Sequence, residues 1–262
     1  DGFLDLAGPM DNAASGINVV FWDPLLGMFG NPVTHWTPNV PGALAAGEID
    51  GTPGAEIAIS WSPGFNQVAV AWASWNGSSL TQGPSWSGFG FVGNMVSTDL
   101  TGDGLADLAM GNVFGGASVR VFETVAGVPT GPTVFPLGVA GSTKVFLGDH
   151  DSDGDMDVLA GAIEINPEVT RLAWLTNNGA LSPQRGTVTT FSGINPFHAI
   201  VGDWDGDGLL DFGGVGKIVP GLALGIFGPA QDHPVDSVLV GLVDMNGDGF
   251  GDLVSFDRIL FG

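Results

Sequence analysis

Four stretches of the chain set oxygen-bearing side chains at alternate positions of a short loop: DLTGDGLAD from Asp99, DHDSDGDMD from Asp149, DWDGDGLLD from Asp203 and DMNGDGFGD from Asp244. In the third, Asp203, Asp205, Asp207 and Asp211 occupy positions 1, 3, 5 and 9, with Gly208 at position 6. Hard cations such as calcium take six to eight oxygens at ~2.3–2.6 Å in flexible geometry. Alternate residues of a tight loop converge on one point, and glycine permits the positive φ of the sharp turn. Asp-Gly turns by themselves account for one acid per loop, not three or four. Packed carboxylates repel one another unless a cation or a proton intervenes. The chemistry expected of all four loops is therefore divalent-cation binding, with the position 7 carbonyl as an additional ligand.

The loops recur. Starts at 48, 99, 149, 203 and 244 define a repeat of about fifty residues, the copy from Glu48 (EIDGTPGAEIAI) being degraded. It carries Thr52 at position 5 and Pro53 where glycine is needed. Proline cannot adopt positive φ, so this copy is not counted as a ligand set. The opening DGFLDLAG is a sixth copy, with Asp1 at position 5 and Asp5 at position 9.

The segments that must position these loops alternate at period two. After each loop comes a short apolar run such as DLAMG or DVLAG, then a stretch such as INVVFW, QVAVAW, SVRVFE or TRLAWL. A turn and a weaker segment follow, and an apolar strand such as KVFLGD leads into the next loop. Four short strands per repeat make a sheet that cannot bury both faces alone and must stack on its neighbours. The expected fold is all-β: one β-propeller domain over 1–262 with four-stranded antiparallel blades, a linear solenoid being the alternative. Strand counting favours six blades, with five or seven open, and an incomplete N-terminal blade lacking its innermost strand. That strand is expected from upstream residues or a neighbouring subunit, since the chain, with no initiator Met or signal pattern, reads as a mature or trimmed segment. The outer strand of the fifth repeat, around Gly228 to Pro234, is expected to be reduced or lost.

The formal charge is −22, from 28 acids against six bases. Nucleic acid and anionic membrane partners are disfavoured, because both need clustered Lys and Arg. Twenty of the acids lie in the six motif copies, so the charge is concentrated in the loops rather than spread as a halophilic coat. There is no Cys, and no apolar run reaches membrane-spanning length. The four histidines, His35, His150, His198 and His233, show no zinc spacing. His150 is expected to face solvent from position 2 of its loop, and His198 to be a satisfied core residue. No nucleophile motif appears, and no enzymatic activity is expected. Six of the eight Trp lie in the first third. They serve either as packing between blades or, through residues such as Trp72 and Trp75, as a platform for sugar rings or a subunit contact. A content of charged residues of only 13% points to surface covered in an assembly.

The pattern D-x-[DN]-x-[DN]-G-x-x-D followed by a short apolar strand, repeated at this spacing, resembles the FG-GAP/VCBS repeats of integrin-α-like propellers and many secreted bacterial proteins. The resemblance spans essentially the whole chain. It implies calcium in hairpin loops between the first two strands of each blade, on one rim. The implied ligands are Asp99, Thr101, Asp103 and Asp107; Asp149, Asp151, Asp153 and Asp157; Asp203, Asp205, Asp207 and Asp211; and Asp244, Asn246, Asp248 and Asp252, about four sites in all. Four calcium ions would reduce the charge from −22 to −14. The expected function is that of a secreted or cell-surface, non-catalytic module for adhesion or extracellular assembly, with a protein partner or self-association. The alternatives are a glycan-binding, lectin-like propeller or a domain of a larger extracellular polysaccharide-degrading enzyme.

Overall fold

The computed structural model describes residues 5–10, 15–51, 56–76, 78–90, 92–113, 116–138, 141–165, 168–179, 184–222, 225–243, 245–247, 251–255 and 257–260. Over these the chain is all-β, with one turn of 3₁₀ helix at Pro196–His198. Val, Ile, Phe and Trp at every second position favour the pleated conformation, in which alternate side chains go to opposite faces.

Six antiparallel sheets of three or four strands follow one another along the chain, numbered here by order, besides two-stranded hairpins of Trp22–Asp23 with Met28–Phe29 and of Gly221–Leu222 with Ile226–Phe227. Sheet 1 pairs Leu6–Pro9, Gly16–Val20 and Val33–Trp36; sheet 2 pairs Pro41–Gly47, Glu56–Trp61, Gln67–Trp75 and Leu80–Phe89. Sheet 3 pairs Val92–Thr98, Asp107–Asn112, Ser118–Val125 and Val128–Pro136, and sheet 4 Ser142–Gly148, Asp157–Ile165, Glu168–Thr176 and Gln184–Phe191. Sheet 5 pairs Ile200–Gly202, Asp211–Gly214, Lys217–Val219 and Gln231–Asp232, and sheet 6 Leu239–Val243, Asp252–Ser255 and Ile259–Leu260. Each four-stranded sheet is a simple meander in chain order. In sheet 1 the strand after Asp5 forms an edge among the described residues. The outer strand of the fifth repeat is not lost but reduced to Gln231–Asp232, paired with Lys217 and Ile218.

Alternation decides how the sheets stack. In the second strand of sheet 2, Ile57 and Ile59 face sheet 1 residues Ile17 and Val19, while Ala58 between them faces Met110 and Leu108 of sheet 3. In sheet 4, Val158 and Ala160 pack toward Val119 and Val121 of sheet 3, and Leu159 toward Phe212 of sheet 5. Every core cluster therefore lies between two successive sheets. Burying a side chain such as Leu159 or Phe212 stabilises the stack by about 1.5–3 kcal/mol.

First strands of successive sheets lie side by side from sheet 2 to sheet 6. Asn94 in sheet 3 bonds the backbone of Val145 in sheet 4 twice, donating from Nδ2 to the carbonyl at 2.6 Å and accepting the amide N–H at 2.8 Å. At Gly47 a Cβ would collide with Ala106 of the next sheet, so glycine there sets how closely the strands approach. All the acidic loops join the first strand of a sheet to its second, where the resemblance placed them.

Candidate metal centre

Every loop is built on one backbone frame. The N–H at position 2 donates to the carboxylate at position 9: Ile49 to Glu56 at 3.2 Å, Leu100 to Asp107 at 2.9 Å, His150 to Asp157 at 2.9 Å, Trp204 to Asp211 at 2.9 Å and Met245 to Asp252 at 2.8 Å. The second oxygen of the closing acid accepts a backbone N–H from the far side of the sheet. Thr124 donates to Asp107 at 2.8 Å, Asn177 to Asp157 at 2.7 Å and Gly221 to Asp211 at 2.7 Å. Asp5 follows the rule, accepting from Trp22 at 2.9 Å. The closing acid is thus a staple between loop and sheet, a role that spacing alone did not reveal. Asp107, Asp157, Asp211 and Asp252 are buried. Burial raises the pKa of Asp107, Asp157, Asp211 and Glu56 above the usual carboxylate range, with the backbone hydrogen bonds opposing it.

The leading acid folds the loop. Asp99 accepts N–H groups from Thr101, Gly102 and Gly104, and Asp203 from Gly206 and Gly208. At position 6, Gly104, Gly154 and Gly208 have φ of +85°, +98° and +84°. An added Cβ at these three would meet nothing within 4 Å, so conformation rather than space demands glycine there.

Among the described residues the structure gathers Asp149, Asp151 and Asp153 so that one ligand atom of each lies within 4.8 Å of the others, and does the same for Asp203, Asp205 and Asp211. Two further groups form at this reach: His150 with Asp151 and Asp157, and Glu48 with Asp50 and Glu56. Asp207 instead turns its Oδ1 to the N–H of Leu209. Asp99, Asp103 and Asp107 do not form such a group; Asp103 accepts from Leu105, and Thr101 hydroxyl lies 3.5 Å from Asp99 Oδ1. Asp244 and Asp248 lie outside the described residues, while Asn246 is exposed on the loop that Asp252 closes. Thr52 and Pro53, which count against the Glu48 group in the sequence, also lie outside the described residues. Its acids at positions 1, 3 and 9 were the signal for it.

A calcium ion fits the donor set. Asp149 Oδ1 and Asp151 Oδ1 are buried with no hydrogen-bond partner. Buried acceptors of this kind are normally satisfied, and anionic oxygens beside one another call for a cation.

Two histidine expectations are corrected. The His150 side chain is only 10% exposed, packed edge-on against Trp174 at 4.8 Å with Nε2 2.8 Å from Thr176 Oγ1. His198 is exposed on the 3₁₀ turn rather than lying in a core strand. Trp72 is buried and donates Nε1 to Thr124 of the next sheet at 3.1 Å, which makes it packing and not a platform; Trp36 and Trp75 remain exposed. No helix among the described residues is long and apolar enough to cross a membrane.

Residues 149–213, spanning the loop with the densest acids, the last three strands of sheet 4 and the next loop, match the family described as FG-GAP-like repeat. The chain carries an FG-GAP-like repeat. The matched stretch includes eight of the sixteen implied ligands, Asp149 to Asp157 and Asp203 to Asp211. No curated protein matches the chain. Among solved structures it is similar to a chain of the Photorhabdus luminescens Tc holotoxin pore, at 15% identity and a TM-score of 0.42 over 97% of this chain and 14% of that one. It is also similar to the Dos1 propeller, at 9% identity and a TM-score of 0.49 over 95% of this chain and 71% of that one. The chain spans 14% of the toxin chain's length.

Proposed function

We propose that this chain is a calcium-stabilised β-propeller, six-bladed with an incomplete first blade, that works outside the cell as a non-catalytic binding or structural module. The observation that carries the reading is the pair of buried, unpartnered carboxylate oxygens at Asp149 and Asp151, within a loop frame repeated through five sheets. Side-by-side first strands and core clusters between successive sheets support radial stacking. The proposed ligands are those implied by the resemblance, with Asp107, Asp157, Asp211 and Asp252 also serving as staples. Millimolar extracellular calcium would fill even sites of modest affinity, which favours action outside the cell. Calcium titrated into metal-free protein, followed by calorimetry and by melting temperature, tests this. Saturable binding of several ions with a rise in melting temperature is expected; no heat and no shift would reject it.

Self-association is supported by the exposed apolar side chains Leu25, Leu26, Met28 and Trp36, all within one short stretch of chain in and beside sheet 1. Light scattering of the full chain should show a species larger than the monomer. A glycan-binding reading is supported by a cleft of about 470 Å³ in sheet 2, lined by Trp61, Gln67, Ser85, Ser87 and Phe89, which offers aromatic, amide and hydroxyl groups together. A glycan array, with Phe89→Ala as control, tests it.

A further inference from the structure

The Asp149–Asp157 loop differs from its sisters at position 2. Position 2 is Ile49, Leu100, Trp204 or Met245 elsewhere, and His150 here. Its ring is held from outside: Nε2 lies 2.8 Å from Thr176 Oγ1, and Trp174 packs against it at 4.8 Å. The other nitrogen, Nδ1, is buried without a hydrogen-bond partner and sits 3.9 Å from Asp157 Oδ2. Asp151 Oδ1 is likewise buried and unpartnered, and the three residues offer ligand atoms all within 4.8 Å of one another.

We propose that His150 Nδ1, Asp151 and Asp157 form a second kind of metal site in this loop, for a divalent ion of the zinc class. Imidazole nitrogen suits borderline transition ions, whereas calcium prefers oxygen throughout. Zinc takes nitrogen at ~2.0–2.1 Å and carboxylate oxygen at ~2.0–2.2 Å, which places two ligands of a tetrahedral ion roughly 3.3 Å apart. A small inward turn of the ring from the 3.9 Å seen here completes the approach. Three protein ligands leave the fourth position to water. With the tautomer in which Nε2–H donates to Thr176 Oγ1, the lone pair stands on Nδ1, the outer-shell arrangement that commonly orients a metal-bound histidine. The site shares Asp151 and Asp157 with the proposed calcium loop, so the two ions compete there, but it requires no calcium at the other loops.

Cobalt(II) serves as an optical probe on the full chain stripped of metal. One equivalent should bind with a visible band that zinc abolishes. His150→Gln should weaken cobalt binding at least tenfold while leaving the calcium-dependent rise in melting temperature. Thr176→Val, which frees the ring, should weaken it about tenfold. Should His150→Gln fail to fold, nitrogen NMR of the native imidazole decides: zinc must shift the Nδ1 resonance of His150. Unaltered cobalt affinity in His150→Gln, or an Nδ1 resonance indifferent to saturating zinc, overturns the proposal. Cobalt binding without any calcium response would uphold this site and remove the calcium reading; a calcium response without His150-dependent cobalt binding would do the reverse.

Discussion

The Glu48–Glu56 and Asp149–Asp157 loops share a frame and differ in what they leave unpaired. Both close through the position 2 N–H onto the position 9 carboxylate, and both gather acids within 4.8 Å. In the first, Glu48 Oε1 accepts the N–H groups of Asp50 and Gly51, and Ile49 plugs the core. In the second, five acids crowd nine residues, and the Oδ1 atoms of Asp149 and Asp151 have no partner. The frame is therefore a feature of folding, carried by the closing acid. The leading acids are the groups proposed to meet a cation, and in the Glu48 copy the frame persists although the middle of the motif is degraded.

The largest expected effect comes from breaking the frame. Asp157→Ala strips the buried N–H groups of His150 and Asn177 of their acceptor. At about 1–3 kcal/mol for each unsatisfied group, urea unfolding of the calcium-free chain should show a loss of about 2–6 kcal/mol. Asp151→Asn should instead leave the calcium-free chain as stable as before and blunt its response to calcium. The reverse order of damage would dissolve the distinction between staple and ligand.

Calcium removal ranks next. A site held at a hundredfold excess over its Kd contributes about 2.7 kcal/mol, so chelation should lower the melting temperature of the native chain. It should do so less in Asp205→Asn and no less in Glu48→Gln, if the Glu48 loop works without an ion.

A pH series sharpens the same contrast. Burial raises the closing acids Glu56, Asp107, Asp157 and Asp211, so in the calcium-free chain the folded state binds protons more tightly than the unfolded one. Its stability should therefore rise as pH falls from neutral toward the ordinary carboxylate range and fall as pH climbs back. Calcium favours the charged form, so the gap between calcium-loaded and calcium-free melting temperatures should narrow between about pH 7.5 and about pH 5.

The smallest effect concerns position 4. Gly102, Gly206 and Gly247 have positive φ there, and Ser152 is forced to +60° in the same place. Ser152→Gly should stabilise the chain by about 1 kcal/mol, measured by urea unfolding, because glycine carries no Cβ to oppose the left-handed turn.

Much of the architecture was legible in the residues because it is local and repeated. Period-two alternation is enough to define strands, and Asp-Gly spacing is enough to place the turns between them. The acids at 149 to 157 and 203 to 211 could be read as one kind of loop because near-identical phrases recur. Other features depend on partners far along the chain. The alignment could mark Asp157 as a ninth position but not show that Asn177, twenty residues on, hands it an N–H. Nor could it show that His150 turns inward, since that follows from Trp174 and Thr176 on the third strand. Trp72 reads equally well as packing or platform until Thr124 of the next sheet takes its indole N–H. Composition and period determined the sheets and the loops. Contacts across sheets, which no local pattern encodes, decided which acids are staples, which are free to meet a cation, and which histidine stands beside them.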